Sequence, residues 1–187
     1  MGIMIRSTVA FVDGENLVFR YQELLKAGRK PKATTQHILD VAVWSNVIYD
    51  KAAVDLQRIN YYTSTVGDDE HINNIHDTIQ SWGYSYKTGT TDGRGRLTPH
   101  VFKKPSKSQK SRSVDIRITL DSLVTAYTHD VNQLILLTGD GDFIPVIEQL
   151  MRHGKQVIVG SLSSGLHPDL KRTGDYFFQL DPFLFET

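Results

Sequence analysis

Four aspartates stand where carboxylates can act together. Asp13 closes the apolar run Thr8-Val9-Ala10-Phe11-Val12 and is followed by Gly14-Glu15-Asn16. Asp140 and Asp142 lie in Thr138-Gly139-Asp140-Gly141-Asp142, directly after an apolar run at 133–137, and Asp115 opens the helical pattern that feeds that run. Clustered carboxylates raise one another's pKa unless a cation neutralises them. Hard oxygen donors with waters favour Mg²⁺ or Mn²⁺. Such an ion lowers the pKa of a bound water and takes up charge on phosphoryl oxygens, so this pattern suits phosphodiester hydrolysis. Asn16 can orient the water or a phosphate oxygen without adding negative charge, and Thr138, beside the acidic turn, could bind phosphate, although a strand-end threonine is usually plain β-branched filler. Asp121 is six residues beyond Asp115, about 240° round a helix. It is therefore expected on another face, in a hydrogen-bond network or on an outer edge. The plainer alternatives are a turn at Asp13-Gly14 and a helix N-cap at Asp142, before Phe143-Ile144-Pro145.

The charge distribution points to the same class of substrate. The chain has 187 residues and a formal net charge of zero, with 21 basic and 21 acidic side chains. Between Lys87 and Arg117, however, nine basic residues face only two acidic ones. A local positive field on a neutral protein suits a polyanion, nucleic acid above all. Lys103, Lys104, Lys107, Lys110 and Arg112 are the expected RNA-gathering set, on a basic loop over 103–113. Cysteine is absent, which excludes disulfide scaffolds, thiolate zinc sites, iron–sulfur clusters and a thiol nucleophile. Seven histidines are scattered with no pair at helical ligand spacing, so a zinc site is not expected. The Ser161, Ser163, Ser164, Gly165 loop reads as a plain polar loop, with phosphate contact as the alternative. Tyr61 or Tyr62 could stack a base at a strand edge, although aromatic strand residues usually pack in cores, as do Trp44 and Trp82.

The elements that must position these residues alternate between strand and helix. Strands are expected at 8–12, 54–63, 84–88, 133–137, 156–160 and 176–180. Helices are expected at 15–27, 36–49, 68–82, 114–127, 143–153 and, shorter, 166–173. Turn chemistry at 91–95 suggests that 97–102 returns as a hairpin arm against 84–88. Near-continuous apolar strands between helices argue for a mainly parallel sheet covered on both faces. One domain over 1–187 is expected, with a basic hairpin and loop insertion at about 87–113. Ligands of such sheets bind beyond the carboxyl ends of the strands, where strand order reverses. No apolar run is long enough to span a membrane, and residues 1–6 do not read as a secretory leader, so a cytoplasmic location is the expectation.

The motifs also carry a resemblance. Phe11-Val12-Asp13-Gly14-Glu15-Asn16-Leu17 resembles the opening of the NYN domain family, LabA-like branch of the PIN-like nuclease superfamily. Arg112-Ser113-Val114-Asp115-Ile116 with Asp121 is similar to that family's central motif, although Arg112 and Ser113 stand where Lys and Gly are usual. The stretch from Leu137 to Pro145 resembles its third motif, Gly154-Lys155-Gln156-Val157 the strand after it, and Phe177 to Asp181 its close. The resemblance implies a Rossmann-like α/β/α sandwich of PIN type and metal-dependent ribonuclease chemistry. On it, Asp13, Asp115, Asp140 and Asp142 hold Mg²⁺ or Mn²⁺, with Asn16 beside them and Asp121 in support. RNA is the expected partner, with a homo-oligomer possible. Two rivals stand beside this reading. One is a non-catalytic RNA- or protein-binding regulator of the same fold. The other is a haloacid-dehalogenase-like phosphatase, suggested by Gly139-Asp140-Gly141-Asp142 but lacking the required Asp-x-Asp, since Asp13-Gly14-Glu15 stands there.

Overall fold

The computed structural model describes residues 6–47, 54–88, 91–106 and 112–186. Residues 1–5 of the leader reading, Tyr49 of the expected second helix, and Lys107 and Lys110 of the basic loop lie outside them. In chain order the first elements are β1 (Arg6–Asp13), α1 (Gly14–Lys26), β2 (Gln36–Ile38), β3 (Ala42–Trp44), β4 (Val54–Thr65), α2 (Asp69–Ser81), β5 (Gly83–Thr88), β6 (Thr91–Arg96) and β7 (Thr98–Lys103). There follow α3 (Arg112–Thr128), β8 (Gln133–Leu137), α4 (Ile144–Arg152), β9 (Gln156–Ser161), α5 (Leu170–Thr173), β10 (Tyr176–Gln179) and α6 (Asp181–Leu184).

Six strands form one sheet in the order β10-β9-β8-β1-β4-β7, and its pairings are all parallel. One face packs against α1, α2 and α6 through Leu17, Val18, Tyr21, Ile75, Ile79 and Leu184. The other packs against α3, α4 and α5 through Val114, Ile118, Ile147, Leu150 and Leu170. The result is a three-layer α/β/α sandwich, as the strand–helix alternation predicts. Strand order runs outward from β1 through β4 to β7, then crosses through α3 to β8 on the other side of β1. The reversal therefore falls between β1 and β8.

Two local expectations fail. Residues 36–47 form no helix; they make the antiparallel pair β2–β3, turned at Asp40 with a left-handed φ of 59°. The Gln22 side chain holds that turn, donating to Asp40 Oδ1 and accepting from the Asp40 N–H. Val41, Ala42, Val43 and Trp44 are consecutive and all buried. A surface helix would have exposed part of such a run, whereas a strand enclosed on both sides buries all of it. The Trp44 indole donates to the carbonyl of Gly83 and fixes the pair from outside.

The hairpin partner of β5 is β6, while 98–103 joins the main sheet as β7 beside β4. The sequence of β6, TDGRGR, has no apolar side chain to signal a strand. Its glycines serve instead: a Cβ at Gly93 or Gly95 would lie 2.2 Å from Tyr86 Cζ or 2.4 Å from Tyr84 Cζ. The two tyrosine rings lie across the bare backbone. Because β5 follows the far end of α2, this hairpin grows from the amino edge of the sheet. The basic window is consequently divided: Lys87, Arg94 and Arg96 lie on the hairpin, whereas Lys103, Lys104 and Arg112 lie at the carboxyl edge.

Candidate active site

Register brings the site residues into one line. Val12 lies beside Leu137, and Leu137 beside Gly160. One step further towards the carboxyl edge come Asp13, Thr138 and Ser161, with Tyr62 and His100 continuing the row beyond Asp13. Asp13 is 1% exposed. Its Oδ1 accepts from the Asn16 backbone N–H at 3.0 Å and its Oδ2 from the Thr138 hydroxyl at 3.0 Å. Asp13 is thus the N-cap of α1 and also the polar end of β1. Asn16 Oδ1 accepts from the Gly139 N–H at 2.9 Å, and the Thr138 hydroxyl accepts from the Asp140 N–H at 3.1 Å. These bonds tie the loop after β1 to the loop after β8 across the strand-order reversal.

Asp140, half-buried, accepts the Asp142 N–H on its Oδ1 at 3.0 Å. Asp140, rather than Asp142, is the cap of the following 3-10 turn (Gly141–Phe143), and Asp142 itself is exposed. Asp115 occupies the first turn of α3 with one carboxylate oxygen buried. Since α3 leaves the carboxyl edge and runs back along the sheet, its first turn begins at the edge that holds Asp13. Asp121 is placed elsewhere. It accepts from the Tyr62 hydroxyl and from Arg117 Nε, both at 2.9 Å.

Tyr61 and Tyr62 are fully buried, which removes them as base-stacking platforms. The Tyr61 hydroxyl bonds the backbone of Val43. Burial raises the pKa of both phenols well above the ordinary tyrosine value; the charge of Asp13 adds to this at Tyr61, and the bond to Asp121 adds at Tyr62. Both remain neutral donors.

The basic set also divides. The Lys104 ammonium is 3.7 Å from Glu15 Oε1, both side chains nearly covered, and the Ser64 hydroxyl bonds the same oxygen. Lys104 is therefore a structural partner of Glu15. Lys103 is 60% exposed and only loosely paired with Asp69, and Arg112 is exposed. Replacing Lys104 with Ala strands a covered carboxylate and is expected to cost about 1–3 kcal/mol. Lys103→Ala should stay within about 0.5 kcal/mol. Denaturant midpoints of the two variants check the contrast.

Sequence reasoning missed Glu15, which reads as an ordinary first-turn acid, and His167. The ring of His167 lies against Gly141, and the backbone N–H of His167 donates to the Gly139 carbonyl at 3.0 Å. That places an imidazole beside the acidic turn from a loop with no recognisable motif. Further along the row, His100 stacks on Tyr62 at 4.4 Å, and burial lowers its pKa, opposed by Asp121 and reinforced by Arg117, His76 and Arg58. Burial also lowers that of His37. The native rings resist a proton that the unfolded chain accepts. Stability is therefore complete above the ordinary histidine pKa and falls as pH drops through it. Denaturant midpoints at pH 7 and pH 5 should show this loss, and His100→Phe should make it shallower.

A wholly parallel sheet covered by helices on both faces, with acids at its order reversal, is consistent with the PIN-like class of α/β/α proteins. The chain belongs to the NYN domain family, whose model matches residues 7–181; the family lies within the PIN-like nuclease superfamily. An uncharacterized protein of Methanocaldococcus jannaschii is 30% identical over 74 residues, covering 36% of this chain and 31% of that protein. The match thus spans less than a third of that relative's length. The crystal structure of a protein of unknown function from Vibrio parahaemolyticus shares the fold with a TM-score of 0.60 at 20% identity, over 99% of both chains.

Among the described residues, no three histidine, aspartate or glutamate side chains are grouped so as to hold a metal ion. The expected coordination sphere of four aspartates is not formed as such. Asp13 turns its oxygens to Asn16 and Thr138, Asp140 turns one to the backbone of Asp142, and Asp142 faces solvent. What remains is a pair of carboxylate residues flanking Thr138, Asp13 bonded to its hydroxyl through Oδ2 and Asp140 joined to it through the backbone N–H. It fits an ion such as Mg²⁺, which takes one or two carboxylates and completes its shell with waters and phosphate oxygens. It does not fit zinc. Among the described residues, no helix is long and apolar enough to cross a membrane.

Proposed function

We propose that this chain is an endoribonuclease of the LabA-like branch, acting in the cytoplasm as one domain, with its hydrolytic site at the carboxyl edge between β1 and β8. The observation that carries this reading is the Asp13–Thr138–Asp140 chain of hydrogen bonds, locked by Asn16 to Gly139 at the strand-order reversal. Asp13 and Asp140 would hold Mg²⁺ or Mn²⁺, with Asp115 and Asp142 reaching it through water. When bound, the ion supplies an activated water and offsets charge on the phosphoryl oxygens. Asn16 spends its carbonyl on Gly139, so its amide NH₂ is left to donate to a phosphate oxygen. The starts of α1, α3 and α4 lie at this edge, and their positive ends favour an anionic backbone. Lys103 and Arg112 extend that attraction along the RNA.

The test is cleavage of several RNAs with Mg²⁺, with Mn²⁺ and with chelator, beside a phosphomonoester control. Metal-dependent internal cuts and no phosphatase activity are expected. Phosphatase activity without RNA cleavage would favour the dehalogenase-like rival. One observation favours the regulator reading: the described residues hold no three-ligand metal group. RNA binding that persists unchanged with chelator and without cleavage would establish that reading.

A further inference from the structure

The outer face of α3 is apolar and about half exposed; at its end the Tyr127 ring lies 4.4 Å from that of His153 and its hydroxyl accepts from Gln149 Nε2. Its inner face, Val114, Ile118, Ser122 and Ala126, is buried in the core. Outside, Ile116, Leu120, Val124 and Tyr127 are 58%, 53%, 51% and 49% exposed. Their spacing places them on one stripe along three turns, away from the side of the helix that carries Asp115. A soluble helix normally reserves that face for charge. Four large side chains about half exposed amount to roughly 400 Å² of surface, within the size of the largest apolar patch on a monomer, which is often functional.

We infer that this stripe joins two copies of the chain as an antiparallel α3–α3 dimer. Area and charge both select a second copy. Two such stripes face to face bury roughly 800 Å² of apolar surface, which a polar rim brings into the range of a stable interface. The i, i+4 ridges of one helix fit the grooves of an identical neighbour. The charges of α3 are complementary end to end. Arg112 lies exposed at its start, ahead of Asp115 and of Arg117, which is paired with Asp121, while its last turn has no basic residue and Asp130 is exposed just beyond. A two-fold axis level with residues 121–122 sets Ile116 against Tyr127 of the second copy, Leu120 against Val124, and Arg112 beside Asp130 and the negative helix end.

Sedimentation velocity of the native chain should give twice the 21.1 kDa monomer mass. Leu120→Glu should abolish the dimer with an unchanged circular dichroism spectrum, as should Val124→Lys if the first variant folds poorly. Because the chain has no cysteine, mixed Leu120→Cys and Val124→Cys proteins report the orientation by oxidation. Cross-linked heterodimers in excess of either homodimer support the antiparallel pair. A native monomer at high micromolar concentration, a dimer that survives both charge substitutions, or homodimers as the main cross-linked product would overturn the proposal.

Discussion

Asp140→Asn protein is expected to fold as the native chain does and to cleave RNA at least about a hundredfold more slowly. Asparagine caps a helical turn as well as aspartate does, so the bond from the Asp142 N–H to the side-chain oxygen at position 140 survives the change. The Asp140 N–H keeps Thr138 as its acceptor. Only the charge is removed, and a carboxamide oxygen is a poor substitute for a carboxylate at a divalent ion. The measurement is the single-turnover cleavage rate beside a denaturant midpoint. A full rate with an unchanged midpoint would remove Asp140 from the chemistry. A lost rate with a collapsed midpoint would show that the charge serves folding.

Gly14→Ala should lower stability by about 2 kcal/mol or more. A Cβ there would stand 2.4 Å from Tyr61 Cε1 and 2.6 Å from the Tyr62 carbonyl oxygen. Neither can retreat. Tyr61 is fully buried with its hydroxyl bonded to both backbone groups of Val43, and the carbonyl belongs to a central strand. Alanine's helix propensity returns at most about 1 kcal/mol, which does not offset the overlap. Since α1 must shift away from β4, Asp13 and Asn16 move with it, and cleavage should fall as well. A thermal midpoint equal to or above that of the native chain would show that α1 has more room than these distances allow.

The strands that carry the site were legible because they are local. Thr8–Val12 and Gln133–Leu137 are unbroken apolar runs that stop at polar turns, and a parallel sheet places such stops on one edge. That edge brings Asp13 to Thr138, while the N-cap of α1 ties Asp13 to Asn16. Other features depend on distant partners. The segment Val41–Trp44 has apolar residues at helical spacing upstream, and only Tyr61 and Gly83 decide that it is a strand. The strand β6 has no side chain that signals one; Tyr84 and Tyr86 supply the surface. Lys104 looks like any residue of a basic run until Glu15 and Ser64 are placed beneath it. Asp121 was separated from Asp115 by helical geometry, and its donor Arg117 lies one turn earlier on the same helix, whereas its donor Tyr62 required the fold.

The most direct measurement is a Mn²⁺ titration of the native chain with a phosphorothioate RNA that resists cleavage, followed by electron paramagnetic resonance. One ion bound per chain, lost in the Asp140→Asn protein, is the expected result. No uptake of Mn²⁺ by the native chain with RNA present would contradict a metal-dependent site between β1 and β8.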